Sequence, residues 1–395
     1  MVFIVILVCL FLSLLLIPAV KILSVRLDAL DLPNPRKVHN GAIPRLGGVA
    51  IFFSSFLPIG VYIFLFDSKL TWLLVALVLV FITGLIDDII RIGFKRKTLG
   101  LLLASCIVIY IGDIHLKSLG NLFALGDIYL GYFSIPFTFF AIVGVTNAIN
   151  LIDGLDGLAG GIGVIALLCL SFLSYLGGAP SLTILSLALL GSLIGFLIYN
   201  RYPASVFMGD SGSLYLGFSL AVISVILTQN PHQILKPVIP VIILAVPIFD
   251  TLWVMGKRIM RGENPFMADK MHIHHCLMEL GMSHKKVVYL LWGATSFVSL
   301  FAILFRDLPS YMLFYSTLGC CFAYRGAVEY LLWKKTKGVT MSSRTSILQT
   351  VQDLDLNPKI LDSIDQLAPS LLTHQYRQEA EVEDQQIRER KINVS

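Results

Sequence analysis

Four groups of polar residues interrupt a chain that is otherwise strongly apolar, and their types suit phosphate and metal chemistry. Asp87 and Asp88 stand side by side. Asn147, Asn150, Asp153 and Asp156 recur every three residues, interleaved with Gly154 and Gly157. Asn200 precedes the run Phe207-Met208-Gly209-Asp210-Ser211-Gly212, and His272-Ile273-His274-His275 lies further on. Adjacent carboxylates repel each other unless a cation or a proton intervenes. Asp87 and Asp88 are therefore either ligands for a hard divalent cation with a base beside it, or an ion-paired helix end facing Arg91 or Lys95. Steps of three turn a helix by about 300°, so the Asn/Asp series spreads over half of its circumference. Such a series serves a base, a ribose or a metal-bound phosphate, or else glues helices together. Asp210 reads as a ligand or as the cap of the helix it opens. Phe207 reads as core or as a stacking surface. The three histidines lack a Cys pair or a further carboxylate at zinc-site spacing. Lys257, Arg258, Arg261 and Lys270 before them, and Lys285 and Lys286 after them, favour anionic oxygen atoms such as those of a diphosphate. A loop held to anionic lipid is the other reading.

The elements that must carry these residues are membrane helices. Hydrophobic residues make up 56% of the 395 and charged residues only 14%, and the mean hydropathy is +0.81. A soluble chain carries about a quarter charged residues, so too little polar surface exists to coat a globule. Disorder and secreted disulfide scaffolds are excluded by the same figures, and the six cysteines show no framework spacing. The expected fold is an all-α polytopic membrane protein. A spanning helix needs about 20 apolar residues. Eleven segments are expected to span: 3–20, 47–66, 71–90, 99–114, 132–150, 158–177, 181–199, 213–228, 237–256, 287–305 and 310–332. The first is read as a span, not a leader, because no Lys or Arg precedes it. With the first loop inside, sixteen Lys and Arg fall in inner loops and four in outer ones, which orients the chain. All four polar groups then sit at span ends on the cytoplasmic side. A transporter would place its polar site near the midplane. Residues 1–333 are read as the membrane domain and 334–395 as a polar cytoplasmic tail, with one amphipathic helix near 360–372. The residues alone reach as far as a Mg²⁺-dependent membrane enzyme acting on a phosphorylated lipid or nucleotide.

The motifs resemble those of the polyprenyl-phosphate N-acetylhexosamine-1-phosphate transferases, relatives of the MurNAc-pentapeptide translocase. The resemblance covers about residues 30–290. It rests on Arg36-Lys37-Val38-His39 with Ile43-Pro44-Arg45-Leu46-Gly47-Gly48, on Asp87-Asp88, and on the Asn147–Gly157 series. It continues in Phe207 to Ser213, and in Pro265-Phe266 through Asp269-Lys270 to His272-Ile273-His274-His275. It implies a membrane helix bundle with a cytoplasmic-facing active-site cleft, in a bacterial inner membrane. The implied reaction joins a UDP-N-acetylhexosamine to undecaprenyl phosphate and releases UMP, as a first membrane step of O-antigen, common antigen or teichoic acid synthesis. Mg²⁺ is the implied cofactor, with Mn²⁺ as a substitute. Asp87, Asp88 and Asp210 are implied as metal ligands and catalytic groups, together with His272, His274 and His275 at the diphosphate and sugar. Lys37, His39, Asn147, Asn150, Asp153, Asp156, Asn200 and Phe207 are implied as the substrate surface. The broken His-Ile-His-His run, where the translocase has three consecutive histidines, implies a plain amino sugar, most commonly GlcNAc. The expected partners are the lipid, the nucleotide sugar and the bilayer, with a second copy of the chain as an optional one and nucleic acid as none. The alternative is a transporter of nucleotide- or lipid-linked sugars.

Overall fold

A computed structural model describes residues 2–32, 41–229, 235–265 and 271–353, with side chains from 4 to 337. The expected sites Lys37 and His39, the motif residues Phe266, Asp269 and Lys270, and the 360–372 helix lie outside the described residues. The chain divides into two compact units, Met1–Val328 and Glu329–Ser395.

Thirteen α-helices make up almost all of the described secondary structure: α1 (Val2–Arg26), α2 (Gly47–Phe66), α3 (Thr71–Ile90), α4 (Phe94–Cys106), α5 (Ser134–Ile152), α6 (Leu158–Leu176), α7 (Pro180–Asn200), α8 (Gly209–Gln229), α9 (Val238–Ile243), α10 (Ala245–Met260), α11 (Ile273–Glu279), α12 (His284–Leu304) and α13 (Ser310–Asp353). The protein is an all-α polytopic membrane protein. Among the described residues, eight helical stretches are long and apolar enough to cross a bilayer. Large apolar side chains such as Phe11, Phe64 and Phe297 point outward, which suits lipid and not water.

Three expected spans differ in form. The 99–114 segment is the 13-residue α4 followed by a π-helical turn, Ile107–Ile111. The 237–256 segment is split at Leu244 into α9 and α10. Pro247, lacking an N–H, cannot bond the carbonyl of Ile243, so the helix breaks there. The 310–332 segment is the first part of the 44-residue α13.

The bundle is built around α8. Its apolar window is 94% buried, against 22% for α1, so α8 is the axis and α1 faces lipid. Helices α3, α5 and α2 pack on α8, while α7 packs on α1, α6 and α2. A two-residue ribbon, β1 (Leu30–Asp31) with β2 (Ile43–Pro44), pairs antiparallel beside the start of α2. It fixes the approach to α8: Phe207 N donates to Pro44 O at 2.8 Å, and Gly47 N to Phe207 O at 2.9 Å.

Candidate active site

The C-terminal end of α3 meets the N-terminal end of α8, and Asp88 joins them. The first backbone N–H groups of a helix lack partners within it. Here the partner comes from across the sequence. Asp210 N donates to Asp88 Oδ1 at 2.8 Å, and Ser211 N and Oγ donate to Asp88 Oδ2 at 2.9 and 2.6 Å. Arg45 lies 3.6 Å from Asp88 Oδ1. Gly209 (φ +68°) allows this approach, since a Cβ there would stand 2.6 Å from the Asp88 carboxylate. Asp210, read from sequence as a cap or a ligand, is thus not the cap of its own helix. Its carboxylate is free to point elsewhere.

It points at Lys97. The Lys97 Nζ donates to Asp210 Oδ2 at 2.5 Å and sits 3.2 Å from Asp87 Oδ2, so one ammonium bridges two carboxylates from different helices. Asn150 Nδ2 donates to Asp210 Oδ1 and to Ser213 Oγ, both at 2.8 Å. Gly93 N donates to Asp87 Oδ1 at 3.2 Å. The partner of Asp87 is therefore Lys97, not Arg91 or Lys95. Burial works against the charge on Lys97, and the Asp210 and Asp87 carboxylates outweigh it, so its pKa lies above the ordinary lysine value.

Beside this cluster opens a cavity of about 730 Å³ lined by Arg45, Asn150, Asp153, Asp156, Phe207, Asp210 and His275, among others. The volume falls within the usual range for a small-molecule site, roughly 300–1,000 Å³. The turn from Asp153 to Gly157 is held rigidly. Gly157 N donates to Asn200 Oδ1 at 3.0 Å, Asn200 Nδ2 to Val206 O at 2.9 Å, and Ala204 N to Asp156 Oδ2 at 2.9 Å. Asn200 and Asp156 are thereby spent in part on shaping the wall. Burial first, then the carboxylates of Asp210, Asp88 and Asp156, push the Asp153 pKa up to about 7. Asn147 is half-buried in α5 and does not line the cavity.

The histidines arrive from the other side. His275 lines the cavity and its ring lies 4.2 Å from that of His274. His274 is 1% exposed with neither ring nitrogen hydrogen-bonded. Burial, then His275, His272 and His284, hold its pKa well below the ordinary histidine value, so the ring is neutral at pH 7. It presses on the Asp153–Gly157 turn: a Cβ on Gly154 would stand 2.3 Å from His274 Nε2. His272 instead turns away, with Nδ1 2.8 Å from Asp250 Oδ2.

The donor set fits a divalent cation. Five carboxylates form one group: Asp153 lies within electrostatic reach of Asp88, Asp156 and Asp210, with Arg45 beside them, and Lys97 links Asp210 to Asp87. Two of them, Asp87 and Asp210, already converge on one positive group, and Mg²⁺ is commonly held by one or two carboxylates plus substrate phosphates. The oxygens of Asp88 are committed to the start of α8. Among the described residues no cluster of three or more His, Cys, Asp or Glu is arranged to hold a metal unaided.

A protein of Bacillus subtilis (strain 168) named probable undecaprenyl-phosphate N-acetylglucosaminyl 1-phosphate transferase is 36% identical over 297 residues, which is 74% of this chain and 82% of that protein. The glycosyl transferase family 4 model matches residues 70–228. The chain belongs to glycosyl transferase family 4, the polyprenyl-phosphate N-acetylhexosamine-1-phosphate transferases. Two more proteins, each named undecaprenyl-phosphate alpha-N-acetylglucosaminyl 1-phosphate transferase, are similar. The Escherichia coli (strain K12) protein is 31% identical over 71% of this chain and 77% of its own length. The Salmonella typhi protein is 28% identical over 70% and 76%. The family 4 match spans the Asp87–Asp210 cluster and ends before α10, leaving Asp250, the histidines and α13 outside it.

Several residues that shape the site are not singled out by the sequence: Lys97 counts only as a loop charge, Arg45 stands in the Ile43–Gly48 motif without a role of its own, and Asp250 and Arg325 receive no reading. The last two carried a signal, because an ionisable group inside an apolar span is costly and marks function or a buried partner.

Proposed function

We propose that this protein transfers GlcNAc-1-phosphate from UDP-GlcNAc to undecaprenyl phosphate, with Mg²⁺, at the cytoplasmic face of a bacterial membrane. The observation that carries the proposal is the Asp87–Lys97–Asp210 bridge at the edge of a nucleotide-sized cavity. An oxygen of the lipid phosphate attacks the β-phosphorus of the nucleotide sugar. The new oxygen–phosphorus bond forms as the bond from that phosphorus to the α–β bridging oxygen breaks, and UMP leaves with the electron pair. Asp87 and Asp210 would hold the Mg²⁺, which supplies charge neutralisation on the diphosphate when bound. Lys97 brings a permanent positive charge to the same oxygens. A lipid phosphate is already anionic at neutral pH, so the site's work is positioning and electrostatic stabilisation more than proton removal. Asn150 orients Asp210, and Asp88 fixes the start of α8 on which Asp210 stands. Asp153, Asp156 and Phe207 face the nucleotide, with Phe207 offering a stacking surface. His275 reaches the diphosphate and sugar end, backed by His274.

The excess of Lys and Arg in the loops beside the site supports the cytoplasmic side. The charge-rich cavity at span ends favours an enzyme over a transporter, whose site would sit at mid-membrane. The test uses purified protein in detergent with radiolabelled donor. Labelled undecaprenyl-diphospho-GlcNAc from UDP-GlcNAc, and little from UDP-GalNAc or UDP-MurNAc-pentapeptide, is the expected result. Label that never enters the lipid, from protein shown to be folded, returns the transporter reading to first place.

A further inference from the structure

The histidine segment is held by a buried charge pair that lies outside the residues matched by the family model. Asp250, on α10, is 4% exposed, and Arg325, on α13, is 2% exposed. Asp250 Oδ1 accepts a hydrogen bond from Ile273 N at 2.8 Å, and its Oδ2 lies 2.8 Å from His272 Nδ1. The Arg325 guanidinium lies 3.6 Å from Asp250 Oδ1 and donates to Met271 O at 2.7 Å. It also lies over the Trp253 ring at 5.9 Å. Residues 271, 272 and 273 are therefore each gripped by one member of this pair.

We infer that Asp250 and Arg325 are positioning residues, which fix the tautomer of His272 and set His274 and His275 against the Asp153–Gly154 turn. An ionised carboxylate only accepts hydrogen bonds, so His272 Nδ1 carries the proton and Nε2 is the nitrogen left for other contacts. The grip on Ile273 N sets the start of α11, and α11 carries His274 to Gly154 and His275 into the cavity. Orientation of one ring through a second group is a general device for placing a reactive imidazole. Retaining an ion pair in this setting calls for a role, because a well-packed apolar pair of similar volume is often as stable or more so.

The inference rests on the transferase reading, and its test separates the two. Asp250→Asn and the double variant Asp250→Asn with Arg325→Met are compared with the wild type in detergent. Three quantities are measured: kcat and KM for UDP-GlcNAc, the thermal midpoint, and hydrogen exchange of the 271–279 amides, with 84–90 as the internal control. The expected result for Asp250→Asn is a kcat about 10- to 100-fold lower, with KM within about threefold and faster exchange confined to 271–279. In the double variant no buried charge is left unpaired, so the midpoint returns towards the wild type while kcat stays low. Recovery of kcat together with the midpoint would reduce the pair to a structural brace and overturn the inference. So would exchange at 271–279 unchanged from the wild type. A wild type that releases no UMP sinks the transferase reading instead, and the exchange comparison still decides whether the pair holds the segment.

Discussion

The two sides of the cavity are built on opposite plans. On the α3–α8 side every charged group named has a charged or hydrogen-bonding partner close at hand: Lys97 with Asp87 and Asp210, Arg45 with Asp88, Asn150 with Asp210. On the histidine side the ring deepest in the site, His274, is neutral, buried and unbonded, and the order comes from behind it, from Asp250 and Arg325. The first plan suits a region that must hold changing phosphate charge, since fixed charges and dipoles cost no reorganisation when the reaction occurs. The second suits shape, because a neutral ring packed on Gly154 sets a wall. The two plans meet at the Asp153–Gly157 turn.

That contrast can be broken at several points. The largest effect is expected at Asp210, the carboxylate shared by Lys97, Asn150 and the proposed Mg²⁺. Asp210→Asn lowers kcat by about 10³-fold or more while the thermal midpoint holds, because Asn keeps the size and the α8 cap belongs to Asp88. Lys97→Met is expected to cost about 10²-fold in kcat, the scale of one lost electrostatic contact, with a steeper Mg²⁺ dependence as the two carboxylates lose their resident cation. Circular dichroism and a thermal melt beside the kinetics check that both variants fold. At the seam between the two plans, Gly154→Ala drives a methyl group into His274 Nε2 and is expected to cost about 1–3 kcal/mol of stability, as overpacking does. The measurement is the melt, with turnover falling alongside as the wall shifts. Wild-type stability for Gly154→Ala would show that the two sides do not press on each other.

The smallest effect is one of pH. The folded pKa of Asp153 lies at about 7, above the ordinary 3.8. Between those values the folded protein holds a proton that the unfolded chain gives up. Stability from this group is therefore present at low pH and is lost as pH rises from about 4 towards 7. Asp153→Asn removes the titration, so its midpoint is expected to fall less than that of the wild type between pH 5 and pH 8. An equal fall in both would place the burden on another group.

Much of this was legible in the chain because the motifs are local. Asp87-Asp88, the three-residue series ending in Asp156, and Phe207 to Gly212 each lie within a dozen residues, and the series does bring Asn150, Asp153 and Asp156 to one cavity. What spacing could not show is which distant group each one meets. Lys97 binds Asp210 from 113 residues away, and Arg325 reaches Met271 across 54. Loop charges serve the sequence reading mainly for topology, a use blind to partners, and it does not single out the charges inside spans, Asp250 and Arg325. Hydropathy likewise found the spans without showing that Pro247 breaks one of them. Asn147 kept the period of the series and still missed the cavity, because helical phase decides a direction and not what stands there.

Lipid- and metal-dependent release of UMP is the decisive observation. Purified wild-type protein, undecaprenyl phosphate and UDP-GlcNAc are combined with and without Mg²⁺, beside Asp210→Asn under the same conditions. UMP that appears only with lipid and Mg²⁺ present, and falls by about 10³-fold in the variant, is the result expected. UMP release independent of Mg²⁺, or undiminished in Asp210→Asn, would contradict the assignment of the Asp87–Lys97–Asp210 cluster as the centre of the reaction.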